Sequence, residues 1–219
     1  LEEARWGLDW LMRTRWGDGY RHCGRIIGFW TDNIIGGTDD ITTMAENRPY
    51  DNLLVASVFA RAAVVFREED PMYAGLCARY AKEDFAFGVE CMHRAPAQSF
   101  SFVNQLQLNA QAALTAVELY AAFDEAEYLR QAARFARIVL SCQCMAPPEG
   151  FRIPLRGFFY ESEEKKRIQA SFHRSYEHVA VQSLAELFAA EPGHPDSAAW
   201  PEGLLPAVAF LKVVQNAPP

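Results

Sequence analysis

The sequence predicts an all-α protein of stacked antiparallel helical hairpins, arranged as an open solenoid or a closed α/α toroid. Two observations carry this. Apolar residues recur at three- and four-residue spacing through most of the 219 residues. A hairpin pattern also repeats. Ala116-Val117-Glu118-Leu119-Tyr120-Ala121-Ala122 is echoed by Leu184-Ala185-Glu186-Leu187-Phe188-Ala189-Ala190, and a weaker copy stands at Ala62-Ala63-Val64-Val65-Phe66. Similar helical units at intervals of about 50 to 70 residues are what stacked helix pairs produce, because each pair must bury its apolar face on the next.

The first helix carries Trp6, Trp10 and the run Met12 to Trp16, and Gly17-Asp18-Gly19 ends it. From Cys23 to Pro49 the pattern breaks into Gly, Thr, Asp and Asn, which predicts a loop of more than twenty residues. A loop of that length is uncommon unless it has a function. Leu53 to Phe66 is the second helix, with Leu54, Val55, Val58, Phe59, Ala62 and Val65 as its apolar stripe. Asp70-Pro71 starts the third, since Pro is harmless in a first turn, and that helix runs to about Glu90. Pro96 to Val103 connects it to a pair, Gln105 to Ala122 and Asp124 to Ser141. Asp124 and Glu127 stand in capping-box order at the start of the second member.

Pro147-Pro148 closes that helix, and Phe151 to Tyr160, rich in aromatic and β-branched residues, predicts a short hairpin. Helices over 172–190 and 201–214 follow, separated by the turn Glu191 to Asp196. The coarse count is seven helices in a single domain spanning residues 1–219.

Composition narrows the function. Half the residues are hydrophobic, which suffices for a sizeable core and excludes general disorder. Lys+Arg 21 against Asp+Glu 28 gives a net charge of −7 with no basic run, which argues against nucleic acid as a partner. No apolar stretch approaches the ~18 residues of a membrane span, so no membrane association is expected. The five cysteines, Cys23, Cys77, Cys91, Cys142 and Cys144, lack the spacing of a zinc or redox motif and read as structural thiols. No cofactor is implied.

Two segments carry candidate chemistry. The long loop holds Trp30-Thr31-Asp32-Asn33 and Gly36-Gly37-Thr38-Asp39-Asp40. Trp30 offers a flat apolar face for the C–H surface of a sugar ring, and Asp32 and Asn33 can bond its hydroxyls. Paired carboxylates such as Asp39 and Asp40 can hold one raised pKa and act as acid or base. The same residues also suit an oxygen-lined calcium site or a plain Asx turn. The second segment is His173-Arg174-Ser175-Tyr176-Glu177-His178. His173 and Glu177, four apart on a helix, share one face and could bind hydroxyls, or could simply cap a helix start. Their order is not that of a His-Glu-x-x-His zinc site, and no metal is expected. Just upstream, Gly157-Phe158-Phe159-Tyr160 offers an aromatic ledge, with Tyr160 the substrate-facing candidate and core packing the competing role. The mixed charges of Glu161 to Arg167 read as a solvated loop.

The segments Glu3-Ala4-Arg5-Trp6-Gly7-Leu8-Asp9-Trp10-Leu11-Met12 and Gly17-Asp18-Gly19-Tyr20-Arg21-His22 resemble the helix and following turn of family 9 glycoside hydrolases. The Asp70-Pro71-x-Tyr73 turn and the stretch from Glu118-Leu119-Tyr120 to Tyr128 resemble that family too. The resemblance spans about 140 residues. It implies an (α/α)6 toroid that hydrolyses β-linked glucan-type polysaccharide or oligosaccharide with inversion, one carboxylate activating water and another protonating the leaving oxygen. A secreted or periplasmic location would follow. The family's Asp-Ala-Gly-Asp base motif, however, occurs nowhere in the chain, and its acid Glu and His-His-Arg segment find no counterpart. The resemblance therefore implies an internal piece of a divergent relative, about half a barrel, inactive alone if the true acid and base lie outside it. From the residues themselves, a non-catalytic helical repeat module and another toroid enzyme, such as a polysaccharide lyase or sugar epimerase, stay open.

Overall fold

A computed structural model describes residues 1–16, 21–24, 43–46, 48–94, 103–146, 149–150, 155–169 and 178–216. Among them run seven helices: α1 (Glu2–Arg13), α2 (Pro49–Val65), α3 (Pro71–Arg94), α4 (Gln105–Phe123), α5 (Ala126–Ser141), α6 (His178–Ala190) and α7 (Ala199–Asn216). Two four-residue strands, β1 (Arg21–Gly24) and β2 (Thr43–Glu46), pair antiparallel with Arg21 opposite Glu46 and Gly24 opposite Thr43. The fold is all-α, and this ribbon is its single sheet among the described residues.

Side-chain contacts fix the direction of every helix. In α2 and α3, Phe66 meets Tyr73 (ring centroids 5.1 Å) and Phe59 meets Tyr80 (5.7 Å). At the far end of this pair, a Cβ on Gly88 would come within 2.8 Å of Leu53 and 3.2 Å of the Pro49 carbonyl. Residue numbers rise on one helix as they fall on the other, so the two are antiparallel, and Gly88 is what lets them approach so closely. In α6 and α7, Leu184 lies against Gly203 while His178 shares a cavity wall with Leu211, again antiparallel.

The alternating helices run parallel to one another. Arg61 pairs with Glu118 and the Thr115 hydroxyl sits 2.8 Å from the Leu53 carbonyl, aligning α2 with α4. Gln111 shares a groove with His178, and Tyr120 reaches Glu191 (3.3 Å), aligning α4 with α6. On the other layer, Arg5–Asp70 (2.9 Å) and Arg15–Glu83 (2.7 Å) join α1 to α3. Lys82–Glu125 (2.5 Å) and Phe85–Tyr128 (5.6 Å) join α3 to α5, and Arg137–Asp196 (3.0 Å) ties α5 to the start of α7. The result is an inner layer of α2, α4 and α6, parallel to each other, inside an outer layer of α1, α3, α5 and α7 running the opposite way. This is the layering of an α/α toroid.

Burial follows the layers. Helix α4 is buried on all sides from Leu106 to Val117 apart from Leu108, whereas α5 buries only the stripe Ala132, Ala133, Phe135, Ala136 and Val139. An outer helix with solvent on one face needs an amphipathic pattern, and an inner one flanked by neighbours does not. The core centres on Leu53, Phe59, Leu106, Leu119, Leu184, Leu187 and Trp200. Small residues (Ala56, Ala60, Ala110, Ala113 and Ala116) occupy the helix contacts and allow the layers to pack tightly.

Several sequence expectations shift. Helix α1 ends at Arg13, before the predicted glycines, because the Thr14 hydroxyl turns back to the Leu11 carbonyl (2.8 Å). Within α1, Leu8 is the buried residue, and Trp6 and Trp10 face outward. The stripe expected on α2 holds in part: Val55, Phe59 and Ala62 are buried, but Leu54, Val58 and Val65 are exposed, and Leu53, Ala56, Ala60 and Ala63 are buried as well. The loop expected from Cys23 to Pro49 contains the paired β strands at its ends. Asp124 does not begin a capping box. It closes α4 in the left-handed conformation (φ 56°), and Glu125 becomes the N-cap of α5 without a side-chain bond. The capping box that does form is Asn104 with Gln107, at 3.0 and 2.9 Å. Asp70 caps α3 as expected, its carboxylate accepting from the Tyr73 N–H at 3.0 Å. Helix α5 stops at Ser141, six residues before Pro147.

The described thiols Cys77, Cys91, Cys142 and Cys144 form no disulfide. Burial pushes Cys77 and Cys142 up to about 11. Because the thiolate is the reacting species, both are expected to resist alkylation at pH 8 in the native protein and to react at once in denaturant. Peptide mapping after brief iodoacetamide treatment checks this, with half-buried Cys91 labelled ahead of both.

Candidate functional site: one rim of the helical layers

The alternation of directions sorts the connections. The turns from inner to outer helices, 66–70, 124–125 and 191–198, lie at one end. The starts of α2, α4 and α6 and the ends of α1, α3 and α5 lie at the other. The residues bracketing the two predicted segments, Gly24 and Thr43 for one and Gln169 and His178 for the other, belong to this second rim. Trp30, Asp32, Asn33, Asp39, Asp40, His173 and Glu177 themselves lie outside the described residues.

Where α1, α2 and α3 meet the rim, the ribbon is anchored by a buried ionic cluster. Arg21, 3% exposed, donates through Nε to Asn52 (3.2 Å), through Nη1 to the Leu11 carbonyl (3.0 Å) and Thr14 (3.1 Å), and through Nη2 to Asp84. Asp84, 1% exposed, also accepts from Arg15 Nε at 3.3 Å. Arg15 reaches Glu83 (2.7 Å) and stacks its guanidinium 3.9 Å above the Tyr80 ring. Burial pushes the Asp84 carboxyl above the ordinary carboxylate range, and the Arg21 and Arg15 charges oppose that shift. One guanidinium thus binds the strand leading into the long connection to three helices.

The connection after α5 is strapped down by backbone pairing. Cys144 N–H donates to Phe158 (2.8 Å), Tyr160 N–H to Cys142 (2.9 Å), Gly157 N–H to Cys144 (2.7 Å) and Gln169 N–H to Phe159 (2.9 Å). Residues 157–160 therefore pair with 142–144 and with the 167–169 stretch. Leu106 N–H donates to the Glu161 carbonyl (3.0 Å), and Asn104 Nδ2 donates to Gln169 (2.5 Å), which holds the segment to the start of α4. Tyr160 is half-buried here. Its ring packs edge-on against Phe158 (5.2 Å), and its hydroxyl lies 3.9 Å from Cys144 Sγ. Burial and that contact raise the phenol above its ordinary value.

Two cavities open beside α6. One, of about 370 Å³, runs along the concave side of the inner layer, where Tyr50, Arg61, Gln111 and Glu118 face Gln182. The other, of about 400 Å³, lies between α6, α7 and the 157–169 segment. His178 and Gln182 line both. These two residues, four apart on α6, were not singled out as binding groups in the sequence. The available signal was the polar pair Gln182-Ser183 early in the apolar run Val179 to Leu187. The amides of Gln111 and Gln182, the His178 imidazole and the Tyr50 phenol, beside the Arg61–Glu118 ion pair, are groups that can bond hydroxyls. Among the described residues, no three His, Cys, Asp or Glu side chains cluster closely enough to hold a metal ion, and no helix is long and apolar enough to cross a membrane.

The model of one protein family, glycosyl hydrolase family 9, matches residues 1–146, from α1 to just beyond α5. A search of curated proteins gives no match.

Proposed function

The chain belongs to glycosyl hydrolase family 9, and from that premise we propose that it hydrolyses β-linked polysaccharide or oligosaccharide at the rim formed by the inner-helix starts. That it is a glycoside hydrolase-like, carbohydrate-active chain follows from the family. The rim and the β-linkage are the further step. The observation supporting them is the alternation of helix directions within the matched residues, which brings the starts of the inner helices and the ends of the outer ones to one side of a rigid scaffold.

In this proposal Trp30 stacks on a sugar ring, and Asp32, Asn33, Tyr160, His173 and Glu177 bond its hydroxyls. Asp39 or Asp40 serves as a general acid or base in the proton transfers. Residues 1–219 form one toroid-type unit of a larger catalytic domain in this reading, since the three inner helices among the described residues are half of the six that an (α/α)6 barrel contains.

Reducing-end release from soluble β-glucan oligosaccharides tests the chemistry. Hydrolysis is expected without the ultraviolet absorbance a lyase product would show. Asp39→Asn and Asp40→Asn are expected to lower kcat by about 10²-fold or more, and Trp30→Ala to raise KM. Full activity in both Asp variants removes the carboxylate pair from the mechanism. If the chain is inactive alone, titration calorimetry with the same sugars still checks binding, and silence across a broad panel overturns the proposal.

A further inference from the structure

The cavity between α6, α7 and the 157–169 segment has a composition unlike that of a sugar site. Its body is apolar: Phe158 and Phe210, with centroids 5.6 Å apart and planes tilted by 52°, stand with Val181, Ala207 and Leu211 around about 400 Å³. Its polar groups, Gln169, His178 and Gln182, all belong to the rim side, and among the described residues no carboxylate, lysine or arginine lines it. A pyranose presents hydroxyls around its whole edge and would leave them unbonded against such walls. A neutral molecule with an apolar body and one hydroxylated end would match the lining. The two residues at that end, His178 and Gln182, also line the concave groove, so a ligand with its body in this cavity places its polar end where the groove begins. Every residue lining the cavity lies beyond position 146, outside the part of the chain that matches the family.

The geometry points to this cavity as a binding site for the alkyl or aryl aglycone of a neutral glycoside, with the sugar lying across His178 and Gln182 at the rim. This rests on the glycoside reading above and narrows it to substrates bearing an apolar leaving group. Phe158 is buried and holds the floor, and half-buried Phe210 and exposed Leu211 form a wall against which a chain or ring can lie. Ala185 is exposed on α6 at the mouth, where a larger side chain would occupy the space without entering the core.

The test is titration calorimetry of the whole chain with methyl, hexyl and phenyl β-glucosides, cellotetraose and hexanol, all below any micelle concentration. The hexyl and phenyl glucosides are expected to bind about ten-fold or more tightly than the methyl glucoside, because the added carbons leave water. Ala185→Phe is expected to remove that gain. Phe210→Ala, at a half-buried position, is expected to reduce the gain by a separate route. If methyl and hexyl glucosides bind equally, the aglycone site is overturned while the glycoside reading stands. If hexanol binds, is lost in Ala185→Phe, and no glucoside binds more tightly than hexanol, the cavity is an apolar site and the proposal fails through the glycoside reading. No binding by any probe overturns both.

Discussion

Asp84→Ala is expected to lower the unfolding free energy by about 3–5 kcal/mol, more than any surface change in this chain. The alanine would take from the Arg21 guanidinium, almost wholly buried, the carboxylate that accepts from its Nη2, while Asn52, Thr14 and the Leu11 carbonyl still hold it in place. A buried charge stripped of its partner costs far more than the pair contributes when intact. Arg15 would lose its second acceptor but keep Glu83 and the Tyr80 face, so its share of the loss is smaller. Thermal unfolding followed by circular dichroism should show a fall of about 10 °C or more. The double variant Arg21→Met with Asp84→Leu should recover much of that loss, since it removes both charges together. A fall of only a degree or two in the single variant would show that the cluster is solvated in solution.

Gly157→Ala is the second large effect, expected to destabilise by roughly 2–4 kcal/mol. Two independent causes combine. Gly157 has φ 94°, a conformation that L-residues rarely adopt. A Cβ there would also stand 2.0 Å from the Pro206 carbonyl oxygen and 2.3 Å from its carbon, which are backbone atoms of α7 that cannot rotate away. Relief requires moving the 157–160 segment off α7, and that breaks the bonds from Gly157 N–H to Cys144 and from Gln143 Nε2 to the Gly157 carbonyl (3.0 Å). Urea unfolding measures the cost. Stability equal to the parent protein would show that α7 packs elsewhere in solution.

Much of this fold was legible in the sequence, and the exceptions have physical causes. The start of α3 could be placed at Asp70-Pro71 because the capping carboxylate and the proline are both local signals. Spacing placed Val55, Phe59 and Ala62 on the buried side of α2 but also the exposed Leu54, Val58 and Val65. An inner helix touches neighbours on several sides, so its apolar residues form no single stripe, and Leu54 and Val58 look no different in sequence from Leu53 and Phe59. Asp124 and Glu127 have the right order for a capping box, but the chain must reverse between α4 and α5 within two residues. That reversal drives Asp124 into the left-handed conformation. The true box, Asn104 with Gln107, uses amides where Ser or Thr and Glu are the usual signature. The β ribbon was missed because four-residue strands are too short to establish an alternation.

The candidate site residues rest on composition alone. Loop composition singled out Trp30, Asp39 and His173, which lie outside the described residues, and the rim to which the flanking helix ends belong depends on counting helix reversals, which only the contacts between helices fix. Asp84 and Gln182 illustrate what was overlooked. Asp84 falls on the same face as Tyr80 and Ala81, where a carboxylate must find a partner, and that partner, Arg21, is distant in sequence.

The two opposed layers also give the rim a radial electrostatic asymmetry. Three helix amino ends form an inner positive ring, and the carboxyl ends of the outer helices form a negative ring around it. A carboxylate held toward the axis is favoured in its charged form by about 0.3–1 kcal/mol, and one held toward the periphery is disfavoured by a similar amount. Distance from the axis alone therefore biases the inner of two acidic groups toward accepting a proton from water and the outer toward donating one.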